Sequence, residues 1–119
     1  RDGTGCAIVH SDSASGIQRL NQEAAKALAA GRKAGFDISE GRAMTWLTKN
    51  PAKSLGILDQ TGTLEQGKDA DIVIWSGNPF SIYSKAEKVF IDGALAFDKA
   101  TNFMPHTDFD IGVKEWEDK

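Results

Sequence analysis

Asp12 and His10 are the residues of this 119-residue sequence whose types and spacing could do chemistry together. They stand two positions apart, so on a strand both side chains point to the same side. A carboxylate placed there can bind a divalent cation and accept a proton from water held by that cation; an imidazole beside it can approach a substrate or support the carboxylate. Plainer roles are open to both. Asp12 precedes a helical stretch, where a carboxylate caps free backbone N–H groups, and a lone histidine is commonly structural. Ser11 and Ser13 could offer hydrogen bonds at the mouth of a site, but hydroxyls before a helix usually cap it, and neither has a base and an orienting group in view.

Other residues look chemical only when taken together. Asp69, Asp71 and Asp92 sit in turn or strand-edge contexts where carboxylates satisfy backbone N–H groups, so they are expected to be structural. Trp46, Trp75 and the hairpin phenylalanines are expected in the core. His106 and Asp108 near the C-terminus could bind adventitious metal. The single cysteine, Cys6, has no intramolecular disulfide partner and is expected to pack as a small apolar residue.

The elements that must position Asp12 begin with Cys6-Ala7-Ile8-Val9-His10, a short apolar run that suits a strand buried on both faces of a parallel sheet. Ser15 and Gln18 form a capping-box pattern, and Ile17, Leu20, Ala24 and Leu28 recur at helical spacing as far as Gly31 and Gly35. Ser39 opens another helix, with Ile38 placed to pack on Ala43 and with Met44, Trp46 and Leu47 on the buried side. Asn50-Pro51 predicts a second short helix capped by Asn50 and closed by Gly56. Beyond it the pattern turns strand-like at Ile72 to Trp75. Two apolar runs flanking Asp92-Gly93 then predict a hairpin in a small antiparallel sheet. From Asn102 the chain is polar with scattered aromatics and no period, and an extended arm or frayed end is expected.

Fourteen basic against 17 acidic residues, with no basic run, argue against nucleic acid as a partner. No run reaches the roughly 20 apolar residues needed to span a bilayer, and no signal-peptide pattern is visible. A soluble protein is expected, with any targeting sequence upstream and the compartment open.

One parallel strand and one helix do not make a fold, because both need a sheet to bury against. Three spaced motifs resolve this. The segment Val9-His10-Ser11-Asp12 is followed by a long helix and Asn50-Pro51-Ala52 with Leu55-Gly56; then come Gly67-Lys68-Asp69-Ala70-Asp71 leading into a strand, and Val89-Phe90-Ile91-Asp92-Gly93. In that order they resemble the end of the amidohydrolase superfamily, nearest to its imidazolonepropionase-like and prolidase-like members.

The resemblance implies an α/β fragment. Residues 1–58 would be the last strand and helix of a (β/α)8 barrel with two short helices, residues 59–100 the C-terminal part of a small β-sandwich domain, and residues 101–119 a tail. It implies hydrolysis of a C–N bond in a small amide, cyclic amide or dipeptide through a metal-activated water. Asp12 would be catalytic residue and metal ligand at the end of the eighth strand, His10 would be substrate-binding, and the cofactor would be a divalent metal, zinc by expectation. Active sites of such barrels lie at the C-terminal ends of their strands. The family's His-x-His pair, its central lysine or glutamate and its two later histidines find no counterpart here, where only two histidines occur. The isolated chain is therefore expected to lack activity and tight metal. The rival expectation is a non-catalytic module that associates with itself. In either case a homo-oligomer is expected, with Cys6 to Val9 and the Ile17, Leu20, Leu28 face at its interface.

Overall fold

The computed structural model describes residues 5–101, so the expected tail and the pair His106 and Asp108 lie outside it. A single turn of 3-10 helix, Gly16–Arg19, runs into α1, Leu20–Lys33; α2 spans Glu40–Thr45 and α3 Lys49–Ser54. Three strands follow, β1 (Ile72–Trp75), β2 (Ala86–Ile91) and β3 (Ala94–Asp98), paired antiparallel in the order β1-β2-β3.

The expected N-terminal strand is not formed. Residues 6–10 belong to no sheet, for a parallel strand needs a neighbour to supply its ladder and the described residues contain none. The segment is held another way: the Val9 N–H donates to the Trp46 carbonyl (3.1 Å) and the Asn50 side-chain amide donates to the Ala7 carbonyl (2.7 Å). Cys6, expected in the core, is exposed because that ladder is missing.

Helix starts also differ from the sequence pattern. Ser15 makes no capping bond; the Ser13 hydroxyl takes the Gly16 N–H instead (3.1 Å) and the first turn tightens to 3-10. Asn50 does not cap α3. Thr48 is the cap residue, its hydroxyl donates to the Met44 carbonyl (2.9 Å), and Pro51 sits inside the first turn, where no N–H is needed. The Ser39 hydroxyl does cap α2, accepting from the Arg42 N–H (3.1 Å). Gly56 closes α3 as expected: with φ at +74° it lets its own N–H reach the Lys53 carbonyl and the Ile57 N–H reach the Ala52 carbonyl, the Schellman pattern.

The core is small. Leu28, Ala43 and Trp46 form it, with Val9, Ile38 and Phe80 packed against that cluster. Of the α1 stripe, Ala24 and Leu28 are buried, Leu20 is half-buried, and Ile17 is 56% exposed because the 3-10 turn carries it off the face. Leu28 is thus covered by its own chain and is not available to an interface between copies. The Asn21 amide donates to the Pro79 carbonyl (2.6 Å) and the Asn78 amide to the Glu40 carboxylate (3.1 Å), which ties the helices to the chain beyond β1.

In the sheet, Ile72 faces Phe90, and Ile91 faces Ala94 across the turn. Asp92 and Gly93 both have positive φ, 50° and 76°, the pairing a two-residue type I′ hairpin demands.

Candidate active-site segment

Nδ1 of His10 lies 3.7 Å from a carboxylate oxygen of Asp12, although the strand from which their proximity was argued is not formed. Both face solvent, with side chains 74% and 99% exposed. Between and after them the serines build a local turn. The Ser11 hydroxyl accepts the Ser13 N–H (3.1 Å) and donates to the Ser13 carbonyl (3.2 Å), while the Ser13 and Ser15 hydroxyls are 3.0 Å apart. Helix capping therefore falls to Ser13, and His10 is the one polar partner that Asp12 has among the described residues. A depression of about 620 Å³ adjoins them, lined by His10, Ser11, Ser13, Gln18, Arg19 and Glu23 among others; Asp12 stands outside its lining.

Among the described residues no group of three His, Cys, Asp or Glu side chains converges to hold a metal. Catalytic zinc typically takes three protein ligands. Asp12, with His10 at most, fits as part of such a set and not as the whole of it.

The remaining carboxylates do what turn carboxylates do. Asp71 accepts the Asp92 N–H (2.9 Å) on one oxygen and the Thr61 hydroxyl (3.2 Å) on the other, bridging the approach to β1 with the hairpin turn. The buried Asp98 accepts from the Lys88 ammonium (2.9 Å) and the Ala100 N–H (2.9 Å), and these bonds hold its carboxyl below the usual carboxylate range.

Two residues acquire roles that sequence patterns did not single out. Lys68 has a side chain only 14% exposed, and its ammonium donates to the Leu58 carbonyl (2.6 Å) and the Thr63 hydroxyl (2.7 Å) and pairs with Glu65 (2.7 Å). Those bonds from Lys68 and Thr63 pull the Glu65 carboxyl below its ordinary value. Asn50 reaches across 43 positions to Ala7, a contact that no local pattern encodes. No helix among the described residues is long and apolar enough to cross a membrane.

Residues 2–104 match the family model described as Amidohydrolase family. An imidazolonepropionase from Thermoplasma volcanium is 42% identical over 67 residues, covering 51% of this chain and 17% of that protein. One from Brucella suis is 52% identical over 40 residues, 34% of this chain and 10% of the relative. Amidohydrolase tasK of Hapsidospora irregularis is 38% identical over 56 residues, 47% of this chain and 6% of its own length. The crystal structure of an amidohydrolase from Thermotoga maritima superposes with a TM-score of 0.62 at 41% identity, covering 70% of this chain and 20% of that one. The chain thus spans about a fifth or less of the proteins it matches. With the model match running through nearly the whole sequence, the chain belongs to the amidohydrolase family.

Proposed function

We propose that this chain is the C-terminal part of a metal-dependent amidohydrolase that cleaves a C–N bond in an amide, cyclic amide or dipeptide. Residues 5–12 would complete a (β/α)8 barrel and the three strands a β-sandwich. The observation that carries the proposal is Asp12: its carboxylate is exposed and relieved of helix capping by Ser13, on the segment that leads into the family's final long helix. As one ligand of a divalent metal, Asp12 would share the site with donors beyond the described residues. Such a metal would supply a water made acidic enough to yield a proton near neutral pH. Asp12 would then accept a proton, and His10, 3.7 Å from it and lining the adjoining depression, would contact the substrate.

The test compares the whole protein that carries this segment with its Asp12→Asn variant on an acyl amide, a cyclic amide and a dipeptide. Loss of a positioned proton acceptor is expected to lower kcat by about 10²- to 10⁴-fold. Unchanged kcat would refute the assignment. The 119-residue chain alone is expected to turn over none of the three and to retain no stoichiometric zinc after dialysis.

A second reading, a non-catalytic module that associates with its own kind, draws support from Ile8 and Ile17, which are 38% and 56% exposed. Light scattering coupled to size exclusion tests this second reading: a monodisperse monomer at micromolar concentration removes the self-associating module.

A further inference from the structure

Among the described residues no sheet fixes the segment that carries Asp12; the helical corner fixes it instead, and would brace it beside any barrel neighbours. Two bonds do so from behind. The Ala7 carbonyl accepts from the Asn50 side-chain amide at 2.7 Å and the Val9 N–H donates to the Trp46 carbonyl at 3.1 Å. Both come from alternate residues and run to one place, the corner between α2 and α3; alternate residues present their backbone groups to the same edge of a strand-like chain. Ahead of Asp12, the Ser11 and Ser13 hydroxyl turn fixes the exit into the helix. His10 and Asp12 lie between these two anchors.

The corner itself is tied by bonds and packing. α3 is tied to α2 by the bond from the Thr48 hydroxyl to the Met44 carbonyl, closed by the Gly56 turn, and packed through the buried Ala52. Trp46, the other anchor, belongs to the core cluster, and Val9 packs on that cluster. A side-chain amide suits the task at Asn50 because it carries N–H donors on a short stem with few rotamers, whereas an aspartate of the same shape would face the Ala7 carbonyl with a lone pair.

We propose that Asn50 is a positioning residue for the reaction: through the Ala7 carbonyl it sets the height of the segment that presents Asp12. The proposal rests on the hydrolase reading for its kinetic consequence, though not for the anchor itself. Asn50→Asp and Asn50→Ala remove the donor, and Asn50→Gln retains it on a longer stem.

The test has two arms. In the 119-residue chain, amide hydrogen exchange of Val9 is expected to quicken by about tenfold or more in the Asp and Ala variants while the β2 and β3 amides keep their protection, since the opening is local. In the whole protein, a displaced Asp12 is expected to lower kcat by about 100-fold, the scale of a 1 Å misplacement, with KM moving less than about threefold and Gln recovering part of the loss. Unchanged exchange at Val9, or equal loss of protection at Val9 and throughout the sheet, overturns the anchor. Retained kcat in both donorless variants overturns the positioning role. If the wild-type whole protein shows no Asp12-dependent hydrolysis, the hydrolase reading fails, and the exchange arm still decides whether Asn50 anchors the segment.

Discussion

Gly62→Ala adds a single methyl group and is expected to be among the most damaging substitutions in the described chain. Gly62 has φ at +97°, where an L-residue places its Cβ against its own carbonyl at a cost of about 1–2 kcal/mol. A Cβ there would also lie 2.6 Å from the Cβ of Ala52 and 3.2 Å from the Thr48 carbonyl oxygen. Neither neighbour is the far end of a flexible side chain: one is a buried methyl on α3 and the other is backbone. Forcing α3 aside adds about 1–3 kcal/mol of overpacking, while the stiffer unfolded chain returns about 0.4–1 kcal/mol, which leaves a net loss of about 1–5 kcal/mol. For a domain of this size that is a fall in Tm of roughly 5–30 °C.

Gly41→Ala is the control. Gly41 lies within α2 with ordinary φ and nothing within 4 Å of an added Cβ, so the same change should stabilise by about 0.5–1 kcal/mol. Melting followed by circular dichroism measures both. If Gly62→Ala melts within about 2 °C of the parent, or if the two substitutions shift Tm in the same direction, the close approach of residue 62 to α3 is wrong.

Gly93→Val should cost about 2 kcal/mol or more, because a β-branched residue resists the +76° that the hairpin turn imposes; a Tm equal to that of the parent would remove the type I′ assignment. Lys68→Met keeps the apolar stem but strands the Leu58 carbonyl, and a loss of about 2 kcal/mol is expected in urea unfolding. Thr63→Val added to it should cost little more, because both belong to one network; full additivity would argue against that network. Asp98 and Glu65 have folded-state carboxyls held below their ordinary values of 3.8 and 4.5. Their contribution is therefore complete above those values and is lost as pH falls through the lower folded values. Tm should drop on the acid side, and Asp98→Asn should flatten part of that drop; an unaltered acid limb would deny Asp98 its paired state.

Local chemistry was legible in the sequence wherever near neighbours settle it. Ser39 caps α2, Gly56 ends α3 and Asp92-Gly93 turns the hairpin because each of these is decided by backbone bonds within a few residues. His10 and Asp12 lie near each other, but without the strand from which their spacing of two was argued. The order of three motifs carried the family, and the match over residues 2–104 agrees with it.

What the sequence left open depends on partners far along the chain. A strand-like run such as Cys6 to His10 forms a strand only if another strand lies beside it; here Asn50 and Trp46 take its backbone bonds instead. Asn50 and Ser15 both carry good capping side chains, yet neither caps: the Ser13 hydroxyl takes the Gly16 N–H, Thr48 holds the α3 cap position without a side-chain capping bond, and Asn50 bonds Ala7, because a short polar side chain can satisfy several nearby groups and tertiary packing chooses among them. The burial of Lys68 has the same origin. A lysine in a turn reads as exposed until the loop from Leu58 to Glu65 wraps its ammonium in oxygen atoms, and only the folded chain brings them together.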